Sequence, residues 1–243
     1  MLPMQVFSQS GKNLLPDPEL GGGPLFGFAA YKNSSASSLP FSGWLPGAFL
    51  SASSTIKNTT HVLSAYYQEG KLKNASVPSV HIKNRNLTLE YLYLRRWTIN
   101  HENTLFFEAG LNAGAFHLSN AYVGLVNKER SVNTLLSAGV CVGLVFTISS
   151  VFNGLQVSEH IQVPMISAVL RSSDIYQVPD KNNWTAASFG SLTRVTNTVK
   201  MRMPVCKSNL LSIDYRLDFF RIKDNAASTQ KINTLGVAYI FVL

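Results

Sequence analysis

The segment His117-Leu118-Ser119-Asn120 places a histidine and a serine two residues apart, so that both lie on one side of a predicted β-strand. A histidine beside a serine hydroxyl can act as a general base and activate the serine for acyl transfer. Asn120 or a backbone N–H group would stabilise the oxyanion. Glu129 is the nearby downstream carboxylate that would orient the histidine. These four residues form a candidate catalytic site.

The kind of element that must position these residues is clearest in the segment 131–149. Its apolar residues share one parity: Leu136, Ala138, Val140, Val142, Leu144, Phe146 and Ile148. The other parity holds small or polar residues: Ser137, Gly139, Cys141, Gly143, Thr147 and Ser149. This period of two predicts a strand that is longer than most strands of soluble proteins. One apolar and one small or polar face are typical of a transmembrane β-barrel.

The composition favours the same class. Charged residues make up 14% of the chain and hydrophobic residues 46%, whereas a soluble domain usually carries about 25% charged residues. No run is long and apolar enough to form a membrane-spanning helix, so strands would have to supply the apolar surface that faces lipid.

Several other functional classes are disfavoured. The net charge of +8 comes from scattered lysines and arginines without a basic helix, which argues against nucleic-acid binding. Cys141 and Cys206 are too few for a disulfide framework, and their parity predicts buried thiols facing the lumen. Neither has a metal-ligand neighbour, and we expect no metal and no cofactor.

The alternation predicts an all-β, antiparallel, up-and-down transmembrane barrel of about ten strands. Short periplasmic turns would alternate with longer extracellular loops, including a long loop over residues 33 to 43. The strands are expected near residues 23–32, 44–56, 59–71, 85–99, 104–118, 131–149, 155–171, within 185–205, and at 209–223 and 231–243.

Charged residues alternate with apolar ones in the two strands around residues 199–219. A hairpin there would bring basic and acidic side chains to the same inner face, which predicts ion pairs in the lumen rather than an open pore. The residues are Lys200, Arg202, Asp214, Arg216 and Asp218. Glu90 and Glu108 also have the inward parity.

A second set of basic residues falls in or beside the predicted extracellular loops. Charge-assisted hydrogen bonds from these residues could bind lipopolysaccharide phosphates, although a solvated rim explains them equally well. They are Lys71, Lys73, Lys83, Arg85, Lys128, Arg130, Arg171 and Lys181.

Three segments and the final strands resemble small outer-membrane β-barrels of Bacteroidota. The segments are H-V-L-S-A-Y-Y-Q-E-G-K-L-K (61–73), L-T-L-E-Y-L-Y-L-R-R (87–96) and H-I-Q-V-P-M-I-S-A-V-L-R-S-S (160–173). The resemblance implies the architecture and a location in the outer membrane, with no assigned chemistry.

The segment 117–121 resembles the H-x-S-N motif of PagL-type lipid A deacylases, whose histidine and serine lie on the outer wall. The glycine-proline loop common after that motif is missing, and Glu129 is closer to the histidine than in that family. The structural alternative is a strand that ends in polar residues, with Ser119 and Asn120 beginning a loop.

We therefore expect residues 1–22 to be a signal-peptide remnant with an irregular lead-in, and residues 23–243 to be a single barrel domain. An ordinary apolar N-terminus is an equal alternative for residues 1–8. The expected function is structural: an accessory subunit or partner of another envelope protein, in contact with outer-membrane lipid and lipopolysaccharide. A lipid A or phospholipid acyl hydrolase using His117 and Ser119 is the alternative, and a narrow channel is the third possibility.

Overall fold

The computed structural model describes residues 17–33, 37–100, 102, 104–125, 130–148, 154–173, 184–188, 192–206, 209–222 and 228–243. The predicted signal-peptide remnant lies outside these ranges. None of the described residues belongs to a helix long and apolar enough to cross a membrane.

The described chain forms ten long strands and one short strand. They are β1 (Asp17–Asn33), β2 (Ser37–Ile56), β3 (Thr59–Lys73), β4 (His81–Thr98), β5 (Leu105–Val123), β6 (Arg130–Ile148), β7 (Leu155–Ser173), β8 (Trp184–Ser188), β9 (Leu192–Cys206), β10 (Asn209–Ile222) and β11 (Ser228–Val242).

All strand pairs are antiparallel and nearly all join neighbours in the chain. The order runs from β6 through β1 to β11 and on to β7, and the pairing of β6 with β7 closes the sheet. Among the described residues, closure leaves only the short strand β8 paired on one side. A closed sheet satisfies its backbone hydrogen bonds inside a membrane. The fold is an antiparallel ten-stranded transmembrane barrel, as the alternation predicted.

The first strands extend further than expected. β1 begins at Asp17 rather than near residue 23, and β2 begins at Ser37, so most of the predicted long loop at residues 33 to 43 is strand. The glycines of the expected lead-in pair within the sheet. A Cβ atom at Gly23 would lie 1.9 Å from the carbonyl oxygen of Val237, so only glycine allows this approach of β1 to β11.

One predicted strand is divided in two. β8 pairs with residues 166–170 of β7, whereas β9 pairs with residues 156–162 of the same strand. Between these two stretches β7 also contains a β-bulge. Ala138 pairs with Ile166 while Gly139 pairs with Pro164, which leaves Met165 as the extra residue.

The two faces of the wall follow the predicted parity. Leu136, Val140 and Leu144 point outward and are exposed, whereas Leu135 and Cys141 point inward and are buried. Cys206 is an exception to the prediction of two buried thiols, because it lies at the last position of β9 and is exposed there.

Candidate functional site

The lumen contains a layer of buried charges at its middle. Glu90 on β4 accepts hydrogen bonds from Arg216 at 2.5 and 2.6 Å and from Arg194 at 3.1 Å. Asp218 accepts from Arg216 at 2.5 Å and from the hydroxyl of Thr196 at 2.6 Å. Two carboxylates therefore face two guanidinium groups, and the layer, called here the ion-pair layer, is balanced in charge.

Aromatic rings support the two arginines. The guanidinium of Arg216 lies 4.5 Å from the ring centroid of Tyr66, and that of Arg194 lies 5.1 Å from Phe116. These distances suit cation–π contacts. The rings and carboxylates together fix both side chains across the lumen.

Further ion pairs lie towards the periplasmic end. Glu108 accepts from Arg96 at 2.7 Å and contacts the ring nitrogen Nε2 of His160 at 2.6 Å. Lys200 lies 3.8 Å from Asp214. Arg202 pairs with Glu19 of β1 at 3.1 Å, and not with the acidic residues of β10. A cavity of about 70 Å³ remains among Arg96, Lys200 and their neighbours.

The extracellular half of the lumen is mainly apolar, although buried amides such as Asn84, Asn120 and Gln230 also lie there. A cluster of buried side chains fills it, and all ten long strands contribute. Among its members are Tyr31, Phe41, Leu72, Ile82, Phe116, Leu135, Val169, Leu192, Phe220 and Ile232. This group is called here the apolar plug, and it closes the lumen above the ion-pair layer.

All five residues expected in lumen ion pairs therefore face the lumen. The sequence interpretation missed Arg194 and Glu19 as partners. Arg194 shares the parity of Lys200 and Arg202 in the same strand, which was the available signal. Glu19 gave no signal, because it fell in the stretch expected to be irregular.

The histidine and serine of the candidate catalytic site lie on the outer wall, near the extracellular end of β5. His117 Nδ1 lies 3.0 Å from the hydroxyl oxygen of Thr134, its partner on β6. Ser119 is buried to 7% exposure. Asn120 points into the lumen, where its carbonyl oxygen accepts a hydrogen bond from Asn84 at 2.6 Å. Its amide is thus on the opposite side of the wall from Ser119, which leaves a backbone N–H group for the oxyanion.

Six of the eight basic residues expected at the extracellular rim belong to the residues that the structure describes. Lys71, Lys73, Lys83 and Arg85 are exposed on β3 and β4, and Arg85 forms an ion pair with Glu69 at 2.9 Å. Arg130 and Arg171 lie within β6 and β7. Glu129, Lys128 and Lys181 fall outside the described residues.

A groove of about 630 Å³ crosses the outer wall just below His117. Its floor contains Ala113, Ala115, Ala138 and Ala168, and bulky side chains, among them Leu63, Leu89, Tyr91, Leu136 and Ile166, surround it. This feature is called here the alanine groove. The sequence indicates this groove by alanines at outward-facing positions, where lipid-facing strands usually carry larger apolar residues such as leucine.

No protein-family profile matches the sequence, and no curated protein matches it. Solved structures do resemble it. The outer membrane protease OmpT from Escherichia coli is 6% identical, with a TM-score of 0.55 over 94% of this chain and 97% of that chain. The translocator domain of the autotransporter NalP from Neisseria meningitidis is 7% identical, with a TM-score of 0.49 over 97% of this chain and 90% of that one. The likeness to OmpT shows that this chain shares the fold of outer-membrane β-barrels.

Proposed function

We propose that the protein is an integral outer-membrane barrel that serves as an accessory subunit or partner of an envelope complex. The observation that supports this role is the filled lumen. Apolar side chains from ten strands close its extracellular half, and an ion-pair layer lies beneath them. A barrel closed in this way acts through its outer wall and its rims.

The extracellular rim offers a preorganised contact surface in the loop between β3 and β4. The Asn74 side chain donates to the carbonyl of Pro40 at 2.6 Å and accepts from the backbone N–H groups of Ser76 and Val77. These bonds fix the loop, and Val77 is exposed at 37%. A rigid loop with an exposed apolar tip loses little conformational entropy on binding a protein partner.

The direct test is to extract the protein from its native membrane in mild detergent and to measure the mass of the assembly and its other chains. We expect a stoichiometric complex larger than the 26.7 kDa chain. A photo-crosslinker at Val77 should capture the partner, while the same group at Lys57, in the opposite turn, should not. A lone barrel without crosslinks would contradict the proposal.

An acyl hydrolase is the second candidate. The outward position of His117 and Ser119 above the alanine groove favours it, because an acyl chain in the groove would bring its ester near both side chains. Because Nδ1 of His117 contacts Thr134, the imidazole must either rotate or accept the serine proton at Nε2. Ser119→Ala should change the acyl pattern of lipid A by mass spectrometry if this candidate is correct, and an unchanged pattern in a deletion strain would exclude it.

A further inference from the structure

The outer wall of β3 to β7 changes character in steps from the extracellular rim towards the membrane centre. The strand register defines these steps, because directly paired residues on neighbouring strands form rows across the wall. Lys71 pairs with Lys83, and Lys83 pairs with Ala121. Two residues further down, Glu69, Arg85 and Ser119 form the next outward row. The row of Lys71 and Lys83 is therefore basic, and the row above it pairs Lys73 with His81.

The next rows pass from polar to apolar. Leu87, His117 and Thr134 are paired across β4, β5 and β6. Below them the register pairs Leu89 with Ala115 and Ala115 with Leu136, and these residues line the alanine groove. The wall thus places cations, then hydrogen-bonding side chains, then an apolar groove along one line.

The two lysines of the upper row make an anion favourable there. Like charges directly opposite one another on neighbouring strands destabilise a sheet. Among the described residues, neither ammonium group forms an ion pair within 4 Å. Glu69 pairs with Arg85 at 2.9 Å and interacts with Lys83 only at longer range. A phosphate between Lys71 and Lys83 would remove the repulsion through charge-assisted hydrogen bonds.

The spacing of the rows suits a lipid. Six residues separate Lys83 from Leu89, which is about 20 Å along a strand and about 15 Å along the membrane normal for a strand tilted by about 40°. Lysine side chains also reach towards the polar interface over several ångströms. The groove therefore lies at the depth of the acyl chains in the outer leaflet, and its volume is within the usual range for a ligand site of about 300–1,000 Å³.

A β-bulge shapes one border of the groove. The extra residue Met165 makes two successive residues point outward, and Met165 and Ile166 are exposed at 58% and 68%. Ile166 stands beside Ala138 and Ala168, so that a ridge borders the alanine floor. Bulges re-aim side chains in this way at functional positions of sheets.

We propose that this face binds one phosphorylated, acylated lipid of the outer leaflet, of the lipid A type. Its phosphate contacts Lys71 and Lys83, its polar linkage lies at the level of His117 and Thr134, and one acyl chain occupies the alanine groove. The extracellular position of the basic row selects an outer-leaflet lipid. This binding site is independent of the proposed protein partner and requires no hydrolysis.

The test is native mass spectrometry of the full chain, folded in detergent with either purified lipid A or phosphatidylglycerol. We expect one lipid A molecule per barrel and weaker retention of phosphatidylglycerol. Lys71→Gln combined with Lys83→Gln removes the phosphate contacts, and Ala138→Phe fills the groove. Each change should weaken lipid A binding by roughly tenfold or more, equivalent to about 1.4 kcal/mol.

Matched controls use the same substitutions on another part of the wall. Lys32→Gln combined with Lys231→Gln, and separately Ala30→Phe, alter exposed outward residues of β1 and β11. Both variants should leave retention within about twofold of the unaltered protein. If Ala138→Phe does not fold, Ala113→Phe fills the same groove. Equal retention of both lipids would overturn the assignment to lipid A, and unchanged binding in the groove and lysine variants would overturn the site. The partner crosslink at Val77 is scored separately, so the two proposals can fail independently.

Discussion

The two halves of the lumen are built on different principles. The periplasmic half carries the pairs Glu108–His160 and Lys200–Asp214 and a small cavity, whereas mainly apolar side chains fill the extracellular half. The apolar plug gains stability from the removal of hydrophobic surface from water. The ion-pair layer instead favours one arrangement of the strands, because each buried charge would be left uncompensated without its partners. The periplasmic half of the lumen therefore keeps a small polar cavity, whereas the extracellular half is filled.

The largest effect is expected from removing the carboxylate at the boundary of the two halves. Glu90→Ala leaves Arg194 and Arg216 with one carboxylate between them, and loss of one partner of a buried pair costs about 3–5 kcal/mol. The free energy of unfolding, measured by urea titration with tryptophan fluorescence, should fall by this amount. Glu102→Gln, in an exposed turn, is the control. If both variants lowered the free energy of unfolding by the same small amount, the charges of the ion-pair layer would not depend on one another for stability.

A somewhat smaller effect is expected in the apolar plug. Leu118 is 1% exposed inside the lumen, whereas Leu111 is 61% exposed on the outer wall of the same strand. Leu118→Ala creates a cavity and should cost about 2–5 kcal/mol. Leu111→Ala should cost less, because lipid chains fill the space that the side chain leaves. Equal losses in the same urea titration would show that the plug does not pack as described.

The smallest effect concerns reactivity rather than stability. In the folded barrel a maleimide should label Cys206, which is exposed, and not Cys141, which is buried in the wall. Gel-shift counting should give one labelled thiol before unfolding and two afterwards. Because Cys206 lies at the end of β9 that we expect to face the periplasm, labelling should require permeabilised cells. Cys206→Ser is the control and should remove the native-state label.

Much of the architecture follows from local alternation. The parity of residues 136–146 and of Ser212, Asp214 and Arg216 agrees with their outward and inward positions in the barrel. Alternation depends only on neighbouring residues in one strand, so it can be recognised without knowing which strands are paired. For the same reason the inward direction of Glu90 and Glu108 was predictable, and so was the outward direction of His117 and Ser119.

The partners across the lumen were not predictable in this way. Arg216 and Glu90 are separated by 126 residues, and Arg202 and Glu19 by 183. These contacts depend on barrel closure and on the register of every intervening strand pair. The early start of β1 was also hidden, because prolines and glycines normally indicate turns, whereas here close approach of the backbone requires glycine.

The extra residue of β7 has a consequence for how the chain tolerates changes in length. Removing one residue from an ordinary strand of a barrel exchanges the inner and outer faces beyond that point. β7 already absorbs one surplus residue at Met165, where the alternation is reset between Pro164 and Ile166. A one-residue deletion at this position of β7 would therefore remove the bulge, and the residues of β7 beyond it would keep their inward and outward directions.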